Sequence, residues 1–496
     1  MRVYGYYDVV VVGGGASGTA AAIYAARNGA KTILIETLGS IGGMVNLVGP
    51  PGWAFCHLYN EAGERVIGGF VEELYQDLYK RDLAQPLPLE ENRCQAAPAF
   101  IDIDWAGLLL FEKCREAGVE LMLHTLAVDV LKEGNTVQGV VVENTSGRMA
   151  VMGKVIIEAT GEGDIMARAG VPYSQIDRTK EELDPPSITF HMDGVDWSKT
   201  TAYFKAHPDQ FLPGYVKGRP MADWEKKHYE ERLRKLAECE SVIDLVREGV
   251  TETFDYDELS QEALKNGDMH PYGDLGHYFT YRQGGHFQPV FQHTAQAYDC
   301  DTTDVTEYSW GEMETRRQVV IAIKAIQKYL PGFEHAYLTR MTAGMRTREG
   351  RHTVGDYQIK AEDCANNARF DDCIAKCTMP CTIGGPFHSA ATPGIAMNVD
   401  PTRKMIIPAN RGSYDVPYRA MVPKNVEGML MTGKLVSVTE DFKRDLLPDN
   451  MIWGQAAGTA AALCIKKGIT PRELENCVGE LQEQLRKDGA ILDGVK

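Results

Sequence analysis

The N-terminal sequence runs through a buried strand, a glycine turn and a helix of small residues. Residues 8–12 are an aspartate followed by four valines, a run typical of a strand that is buried on both faces of a parallel sheet. A glycine-rich turn at 13–18 precedes a helix over 19–28, which Gly29 closes. A second strand over 31–36 completes a strand–helix–strand unit within about thirty residues, the length that such a unit needs.

Helices and short strands follow in the next hundred residues. The spacing of apolar residues predicts helices over 69–80 and 104–117. Four short alternating strands are then predicted, over 119–123, 126–132, 136–143 and 148–151. Turn residues between these strands predict a β-meander. A further buried strand over 155–159 ends at Thr160-Gly161.

The middle of the chain differs in character from both ends. Aromatic and polar clusters lie there, with helical stretches at 221–249 and 311–329, whereas a strand at 428–433 and a small-residue helix from 454 resemble the N-terminal region. We therefore expect an α/β fold, in which a Rossmann-type domain with a β-meander carries an α+β substrate domain. The predicted boundaries are 1–175 and 406–496 for the two parts of the Rossmann-type domain and 176–405 for the substrate domain.

The glycine turn has the spacing that dinucleotide binding requires. Gly13-x-Gly15-x-x-Gly18 stands between a strand and a helix, and Glu36 ends the second strand. Gly13 permits the tight turn, Gly15 lets the backbone approach a pyrophosphate, and Gly18 allows close helix packing. The helix N-terminus offers unpaired amides to phosphates, and Glu36 is placed to bind ribose hydroxyls. A glycine turn without a ligand would not need that acidic residue.

Beyond the turn, the chain resembles the FAD-dependent oxidoreductases of the glutathione-reductase-like superfamily. Gly39-x-x-Gly42-Gly43-Met44 follows the unit, the run 155–164 is similar to the family's ATG motif, and 428–433 with 454–458 is similar to its closing FAD segment. The resemblance implies FAD, with a second helix N-terminus facing the flavin and Val128 holding the adenine through its backbone. The implied cofactor contacts are Gly13, Gly15, Ala16, Ser17, Gly18, Glu36, Gly43, Met44, Val128, Ala159, Thr160, Gly161, Gly433, Gln455 and Ala456.

A narrower resemblance covers about 1–175 and 305–496. Arg348-Glu349-x-Arg351-x-x-x-Gly355-Asp356-Tyr357 and the run 414–423 are similar to signatures of a bacterial and archaeal FAD-dependent oxidoreductase family. Two departures stand out. His352 replaces the family's second arginine. After Gly433, the family's arginine, histidine and second arginine are replaced by Lys434, Glu440 and the stretch 443–445.

Two segments carry candidate catalytic side chains. Arg348, Arg351 and His352 could pin two domains together, or hold a substrate carbonyl or carboxylate with His352 as the proton donor. The segment 279–293 could form a pocket wall, or a strand pair whose aromatic residues are core. Lys434 could face the flavin C2=O or lie in solvent. The catalytic candidates are Arg348, Arg351, His352, Tyr281 and His286.

The cysteines do not match a standard metal site. The chain has 11 of them, and the spacings of Cys364, Cys373, Cys377 and Cys381 fit no common iron–sulfur or zinc motif. We therefore expect reduced thiols and no metal. A paired dithiol is absent near the predicted FAD, which argues against disulfide reductase activity. With one dinucleotide fingerprint in the chain, electrons would come from transiently bound NAD(P)H, from an electron carrier, or from the substrate.

The charge balance narrows the classes of partner. The net charge is −17, which argues against binding to nucleic acid or to anionic membranes. No stretch approaches the eighteen or so apolar residues of a membrane span, and no signal-peptide pattern opens the chain. We expect a cytoplasmic protein. A homo-oligomer is compatible with the sequence.

Three function classes are compatible with the sequence. The leading hypothesis is hydride transfer between FAD and a small organic molecule, as reduction of an activated C=C bond or the reverse dehydrogenation. An electron-transfer flavoprotein subunit is favoured instead if the cysteine group binds a cluster. A flavin monooxygenase is the third class, for which no distinguishing motif is found.

Overall fold

A computed structural model of the protein contains both strands and helices, joined by long loops. The structure describes residues 1–47, 55, 57–94, 97–175, 183–212, 223–271, 273–348, 350–383, 404–406, 408–439, 442 and 448–494. The strands are β1 (Arg2–Val12), β2 (Thr32–Ile35), β3 (Glu120–Met122), β4 (Leu126–Glu133), β5 (Thr136–Asn144), β6 (Gly147–Glu158), β7 (Tyr173–Ser174), β8 (Phe190–Asp193), β9 (Tyr278–Arg282), β10 (His286–Phe291), β11 (Tyr337–Met341), β12 (His352–Thr353), β13 (Cys373–Cys377), β14 (Cys381–Ile383), β15 (Lys404–Ile406), β16 (Tyr414–Pro417) and β17 (Met429–Met431). The helices are α1 (Ala16–Arg27), α2 (Gly69–Tyr79), α3 (Ile103–Ala117), α4 (Asp164–Ala169), α5 (Trp197–Ala206), α6 (Asp223–Glu238), α7 (Val242–Arg247), α8 (Asp257–Lys265), α9 (Val305–Tyr329), α10 (Ala361–Ala365), α11 (Pro448–Lys467) and α12 (Val478–Lys487).

The main sheet joins both ends of the chain. Its strand order is β3-β2-β1-β6-β5-β4, and β17 pairs with β6. The strands β3, β2, β1, β6 and β17 run parallel, whereas β4, β5 and β6 form an antiparallel meander. The valines of β1 are buried, as their continuous apolar run predicts. The predicted fold class, a Rossmann-type unit with a β-meander, is confirmed.

Two predictions for this sheet are wrong. The strands expected at 148–151 and 155–159 are one strand, β6, whose first half pairs with β5 and whose whole length follows β1. The polar break between them, Lys154, points outward and forms an ion pair with Asp8 at 2.7 Å. The strand expected at 119–123 is β3, which pairs parallel with β2 and lies outside the meander.

Helix boundaries differ from the sequence pattern at four places. Helix α1 begins at Ala16 rather than at 19. The stretch expected at 221–249 is divided into α6 and α7, and Ser241 caps α7 by accepting a hydrogen bond from Ile243 N at 3.3 Å. Helix α9 begins before 311, because Asp304 caps it through Thr306 N at 2.8 Å. Helix α11 begins at Pro448 rather than at 454, with proline at its first position.

A second sheet occupies the middle of the chain. Its order is β11-β8-β10-β9, and β9 and β10 form a hairpin. Phe279, Phe287 and Phe291 of the hairpin are buried in a core shared with helices α5, α7 and α9. The strand-pair interpretation of the aromatic segment is therefore confirmed for these rings.

Two further features bear on the predictions. Buried residues between 359 and 381, which lie within the predicted substrate domain, pack into the same core as α1 and α11. The domain boundaries at 175 and 405 stay a prediction. Within the part of the chain that the structure describes, no helix combines the length and apolar character needed to cross a membrane.

Candidate cofactor and substrate site

Loops that follow three neighbouring parallel strands meet at one edge of the main sheet. The turn after β1, the loop after β6 and the loop after β17 all lie at the carboxyl ends of their strands. In parallel sheets this edge is where ligands bind. The predicted cofactor residues Gly13, Gly161 and Gly433 stand in these three loops.

The turn after β1 is shaped for close approach of a ligand. Gly13 has φ +98°, and a Cβ on Gly18 would lie 1.8 Å from the carbonyl oxygen of Gly13. A Cβ on Gly15, in contrast, would meet no atom within 4 Å, so the space beside this residue is open. Gly15 precedes α1 and gives it no side-chain cap, which leaves the amides of Ala16, Ser17 and Gly18 directed at that space. The arrangement suits a phosphate group.

Glu36 is held at the same edge by two backbone amides. One carboxylate oxygen accepts a hydrogen bond from Gly14 N at 2.6 Å, and the other accepts one from Leu38 N at 2.8 Å. Burial raises the pKa of Glu36 above its ordinary value. A carboxylate can accept about four hydrogen bonds, so two positions are left for the hydroxyl groups of a ribose.

The loop at 42–47 lies on the glycine turn. Gly42 N donates to Gly14 O at 2.7 Å, and a Cβ on Gly43 would come within 2.9 Å of the Gly15 Cα. Gly43 has φ +51°, and Met44 beside it is half-buried. Farther along the sheet, the ladder between β4 and β5 shifts register between Ala127 and Asp129. Val128 therefore lies at a β-bulge, where its backbone is outside the regular pairing and can meet a base.

The loop after β6 is fixed by a buried carboxylate. Glu158 accepts hydrogen bonds from Thr160 N and Met166 N, both at 2.9 Å, and Ala159 N donates to Val12 O at 2.8 Å. Gly161 follows with φ +89°. These bonds hold residues 159–161 beside the glycine turn.

The C-terminal segment closes the site against α1. A Cβ on Gly433 would come within 2.4 Å of Ser17 Oγ, and a Cβ on Gly454 within 2.0 Å of Ser17 O. Because α11 begins at Pro448, the free amides of its first turn come before Gln455 and Ala456, which lie in its third turn. The side chain of Gln455 accepts a hydrogen bond from Phe70 N at 2.9 Å and donates one to Asp488 O at 3.2 Å. Cofactor contacts of Gln455 and Ala456 stay a prediction.

A segment from the middle of the chain reaches this edge. Lys434 Nζ donates to Glu162 at 2.8 Å and to Thr347 at 3.2 Å, and Thr347 also donates to Glu162 at 2.6 Å. Arg351 Nη1 donates to Glu162 O at 2.8 Å and to an oxygen of Asp164 at 2.9 Å. Thr347 and Arg351 thus attach the middle segment to the loop after β6.

The open cradle at Gly15, the carboxylate of Glu36 and the bulge at Val128 together fit a dinucleotide with a ribose and a base. A family model described as FAD dependent oxidoreductase matches residues 8–485. This chain belongs to the FAD-dependent oxidoreductase family. Its cofactor is FAD, and it is an enzyme.

Similar proteins include archaeal reductases. Digeranylgeranylglycerophospholipid reductase 1 of Methanococcoides burtonii is 27% identical over 226 residues, which are 44% of this chain and 53% of the relative. The corresponding reductase of Thermoplasma acidophilum is 28% identical over 159 residues, 31% of this chain and 39% of the relative. The match thus spans about half or less of these relatives' length. A geranylgeranyl bacteriochlorophyll reductase-like structure from Thermoplasma acidophilum has 14% identity and a TM-score of 0.44, and the match covers 97% of this chain and 82% of that one.

On the other side of the middle segment lies a buried polar cluster. Arg346 is 2% exposed, and it interacts electrostatically with Arg348, Tyr278 and Asp184. His293 is 5% exposed and faces both arginines, which together with its burial hold its pKa well below the usual range. Arg348 Nη1 also donates to Ser187 Oγ at 3.3 Å. Neither Arg346 nor His293 was singled out in the sequence.

The cluster lies where two cores meet. Tyr278 packs with the core of the main sheet, whereas its strand neighbour Phe279 packs with the core of the second sheet. The ring of Tyr278 lies 5.8 Å from that of His293. Sites between two cores are common places for small ligands.

Tyr281 and His286 lie at the other end of the hairpin. Tyr281 donates to Asp82 at 2.7 Å, and its burial raises its pKa to about 12. His286 is exposed and forms a hydrogen bond with Asp193 at 3.0 Å. Each residue of a strand advances about 3.3 Å, so His286 lies on the order of 13 Å along the hairpin from Tyr278. The structure does not bring these two candidates together with Arg348.

The other candidate from the signature segment, His352, lies apart from the buried cluster. It is half-buried in β12, which pairs with β7 beside Arg351. Glu349, Glu440 and the stretch 443–445 lie outside the described residues. The catalytic roles of Arg348, Arg351, His352, Tyr281 and His286 stay predictions.

The four cysteines considered above as possible metal ligands, Cys364, Cys373, Cys377 and Cys381, are buried. Burial and the neighbouring Cys381 thiol raise the pKa of Cys364, and burial raises the pKa of Cys373 to about 12. Cys377 lies 3.4 Å from a carboxylate oxygen of Asp449. Across the residues that the structure describes, no group of three or more metal-ligating side chains has the arrangement of a metal site. The absence of iron stays a prediction.

Proposed function

We propose that the enzyme transfers a hydride between FAD and a small organic substrate, reducing an activated C=C bond or catalysing the reverse dehydrogenation. Bound FAD supplies the hydride chemistry, and the protein orients the substrate and manages charge and protons. The electron donor in this proposal is NAD(P)H, an electron carrier or a reduced substrate.

The middle segment at 346–351 is the observation that carries the proposal. Its residues Thr347 and Arg351 contact the loop after β6, at the ligand-binding edge of the main sheet. Arg346 and Arg348, on either side of Thr347 in the sequence, face the buried cluster with His293. Successive residues of an extended segment point to opposite sides, so one short segment serves both the cofactor side and the substrate side.

This arrangement meets the needs of hydride transfer to an alkene that is conjugated with a carbonyl group. Negative charge develops on the carbonyl oxygen, and the guanidinium group of Arg348 is suited to stabilise it through fixed hydrogen bonds. A proton must then reach carbon. Burial keeps Tyr278 protonated by raising its pKa well above the usual value, so its hydroxyl group is a second candidate for the proton donor, as an alternative to His352.

The names of the relatives support a reductase. The two archaeal proteins that match parts of this chain are named digeranylgeranylglycerophospholipid reductases. Because these matches cover about half or less of the relatives, they support the reaction type and leave the substrate to experiment.

The test follows the flavin absorbance under anaerobic conditions. NADH, NADPH and dithionite are tried as reductants, and the reduced protein is mixed with enones and enoates. Saturated alcohols are mixed with the oxidised protein, where the reverse dehydrogenation would reduce the flavin. We expect an enone or enoate to restore the oxidised spectrum in a single-turnover reaction. If the whole panel leaves the reduced spectrum unchanged, and oxygen with an aromatic substrate yields a hydroxylated product, the enzyme is a monooxygenase instead.

A further inference from the structure

The loop at 42–47 is attached to the glycine turn on one side and to the second sheet on the other. Its two glycines pack on Gly14 and Gly15. Asn46, at the other end of the loop, is buried against α3, because a Cβ on Gly107 would come within 2.1 Å of its side-chain nitrogen. The loop therefore lies between the phosphate-binding turn and the rest of the protein.

Two bonds from the end of β11 reach this loop. Arg340 Nη2 donates to the carbonyl oxygen of Asn46, and Ala343 N donates to Leu47 O at 3.0 Å. The ladder between β11 and β8 shifts register between Leu338 and Arg340, so Thr339 is the extra residue of a β-bulge and Arg340 follows it, paired with His191. The second sheet thus holds the loop through one side chain and one backbone amide.

Arg340 is itself anchored. Its Nη1 forms an ion pair with Asp104, whose helix α3 packs beside the loop, and its side chain is 22% exposed. Bonds from a charged donor to a backbone carbonyl are stronger than neutral ones. A guanidinium group that bridges two fixed partners also loses little freedom when the bridge forms.

We propose that Arg340 is a positioning residue for the cofactor, which clamps the 42–47 loop onto the phosphate-binding turn and slows the release of FAD. The clamp acts through the carbonyl oxygen of Asn46, and its release lets the loop move away from Gly15. The proposal uses the FAD dependence of the family and requires no particular substrate.

Arg282 provides a matched control. It also donates to Asp104, at 2.8 Å, and to Asp102, at 3.2 Å, so it shares the anchor of Arg340. Its other described partner is Gln288 at 3.4 Å, and no bond from Arg282 to Asn46 or Leu47 is found among the described residues. Loss of Arg282 therefore disturbs the same acidic anchor and leaves the clamp in place.

The experiment measures how fast FAD leaves the holoprotein. Release is followed by the rise of flavin fluorescence after dilution far below the dissociation constant, for the wild type, R340M, R340K and R282M. We expect R340M to release FAD roughly tenfold to hundredfold faster than the wild type. R340K should release it at a rate between those of R340M and the wild type, and the rate of R282M should stay within about twofold of the wild type.

Melting curves of the apoproteins separate positioning from general stability. If R340M and R282M lower the melting temperature alike but only R340M speeds release, the clamp is supported. Equal release rates for R340M and wild type overturn the proposal, and so does an equal acceleration in R282M. If R340M does not fold, the release rate of R340K provides the test. An unchanged FAD release rate in R340K contradicts a clamp that depends on the two-pronged guanidinium group.

Discussion

At the scale of single residues, Glu36 combines a structural position with a predicted role in cofactor binding. Its carboxylate accepts hydrogen bonds from two backbone amides, and we expect it to accept further ones from the ribose hydroxyl groups. We expect E36A to weaken FAD binding about tenfold to hundredfold, since a hydrogen bond to a charged group is worth about 1.5–3 kcal/mol. Fluorescence titration of the apoprotein measures this. E36Q keeps one acceptor for Gly14 and should fall in between, whereas an unchanged dissociation constant for E36A would mean that other groups hold the ribose.

The two signature arginines should respond differently to the same substitution. Arg351 is bound to Glu162 and Asp164 and braces the loop after β6, so R351K should lower the melting temperature with near-normal turnover. Arg348 belongs to the buried cluster, so R348K should slow reoxidation of the flavin by substrate, roughly tenfold to hundredfold, because it loses the fork geometry. Stopped-flow traces beside melting curves test both variants. The reverse pattern would place Arg351, and not Arg348, at the substrate.

Asp274 should make stability depend on pH. Burial and the nearby Asp255 raise its pKa from 3.8 to about 8. Between these values the folded state binds a proton that the unfolded state has lost, so stability falls as pH rises. The penalty is absent below about pH 4 and reaches its full size above pH 8. D274N keeps an acceptor for Gly276 N, which now bonds at 3.0 Å, and it removes the titration. The melting temperature of D274N should rise relative to that of the wild type as the pH increases from 5 to 9. If the two melting temperatures change in parallel with pH, the raised pKa of Asp274 is contradicted.

At the scale of elements, contact between α1 and α11 depends on two glycines. A Cβ on Gly454 would lie 2.0 Å from Ser17 O, and one on Gly458 would lie 2.1 Å from Ala21 O. Each substitution by alanine should cost about 1–3 kcal/mol of unfolding free energy through overpacking. Only G454A should also weaken FAD binding, because Ser17 belongs to the phosphate-binding turn.

Chemical denaturation and FAD titration of both variants measure these effects. Gly479 in α12 supplies the control, since a Cβ there meets no atom within 4 Å and alanine favours helix. G479A should therefore be neutral or stabilising. Equal loss of FAD affinity in G454A and G458A would show that the helices move as one body, and that the turn has no separate dependence on Gly454.

Elements that depend on local sequence could be predicted, and those that depend on distant partners could not. The order of strand, glycine turn and helix at 8–28 is specified by neighbouring residues, and the structure confirms it, although the strand begins at Arg2 and the helix at Ala16. The gap expected between strands at 148–151 and 155–159 is absent because this stretch pairs along its length with β1, which lies far away in the chain. Likewise, sequence order assigns β3 to the meander because it precedes β4, whereas its pairing partner is the distant strand β2.

At the scale of the whole molecule, the sequence provides a specific prediction for the cofactor contacts, which stays a prediction, and it misses part of the buried polar cluster. The glycine turn and Glu36 lie in one continuous unit. The buried cluster, in contrast, takes Asp184, His293 and Arg346 from three separate segments. Arg346 had one signal in the sequence, since it stands two residues before Arg348 and so faces the same side of an extended chain. Tyr281 and His286 were favoured for their chemistry, although the hairpin places them at its turn.

FAD should hold the two ends of the chain together. We expect Glu36 and Val128 to contact the adenosine half of the cofactor, and Gly161 and Gly433 to lie near its other half. A ligand present at a hundred times its dissociation constant stabilises a protein by about 2.7 kcal/mol, so the holoprotein should melt several degrees above the apoprotein. FMN lacks the adenosine half and should raise the melting temperature much less, as should ADP-ribose, which lacks the isoalloxazine ring. Thermal melts of the apoprotein with each compound measure the difference. If FMN stabilises the protein as strongly as FAD does, the adenosine contacts at Glu36 and Val128 contribute nothing, and the placement of the cofactor along the sheet edge is wrong.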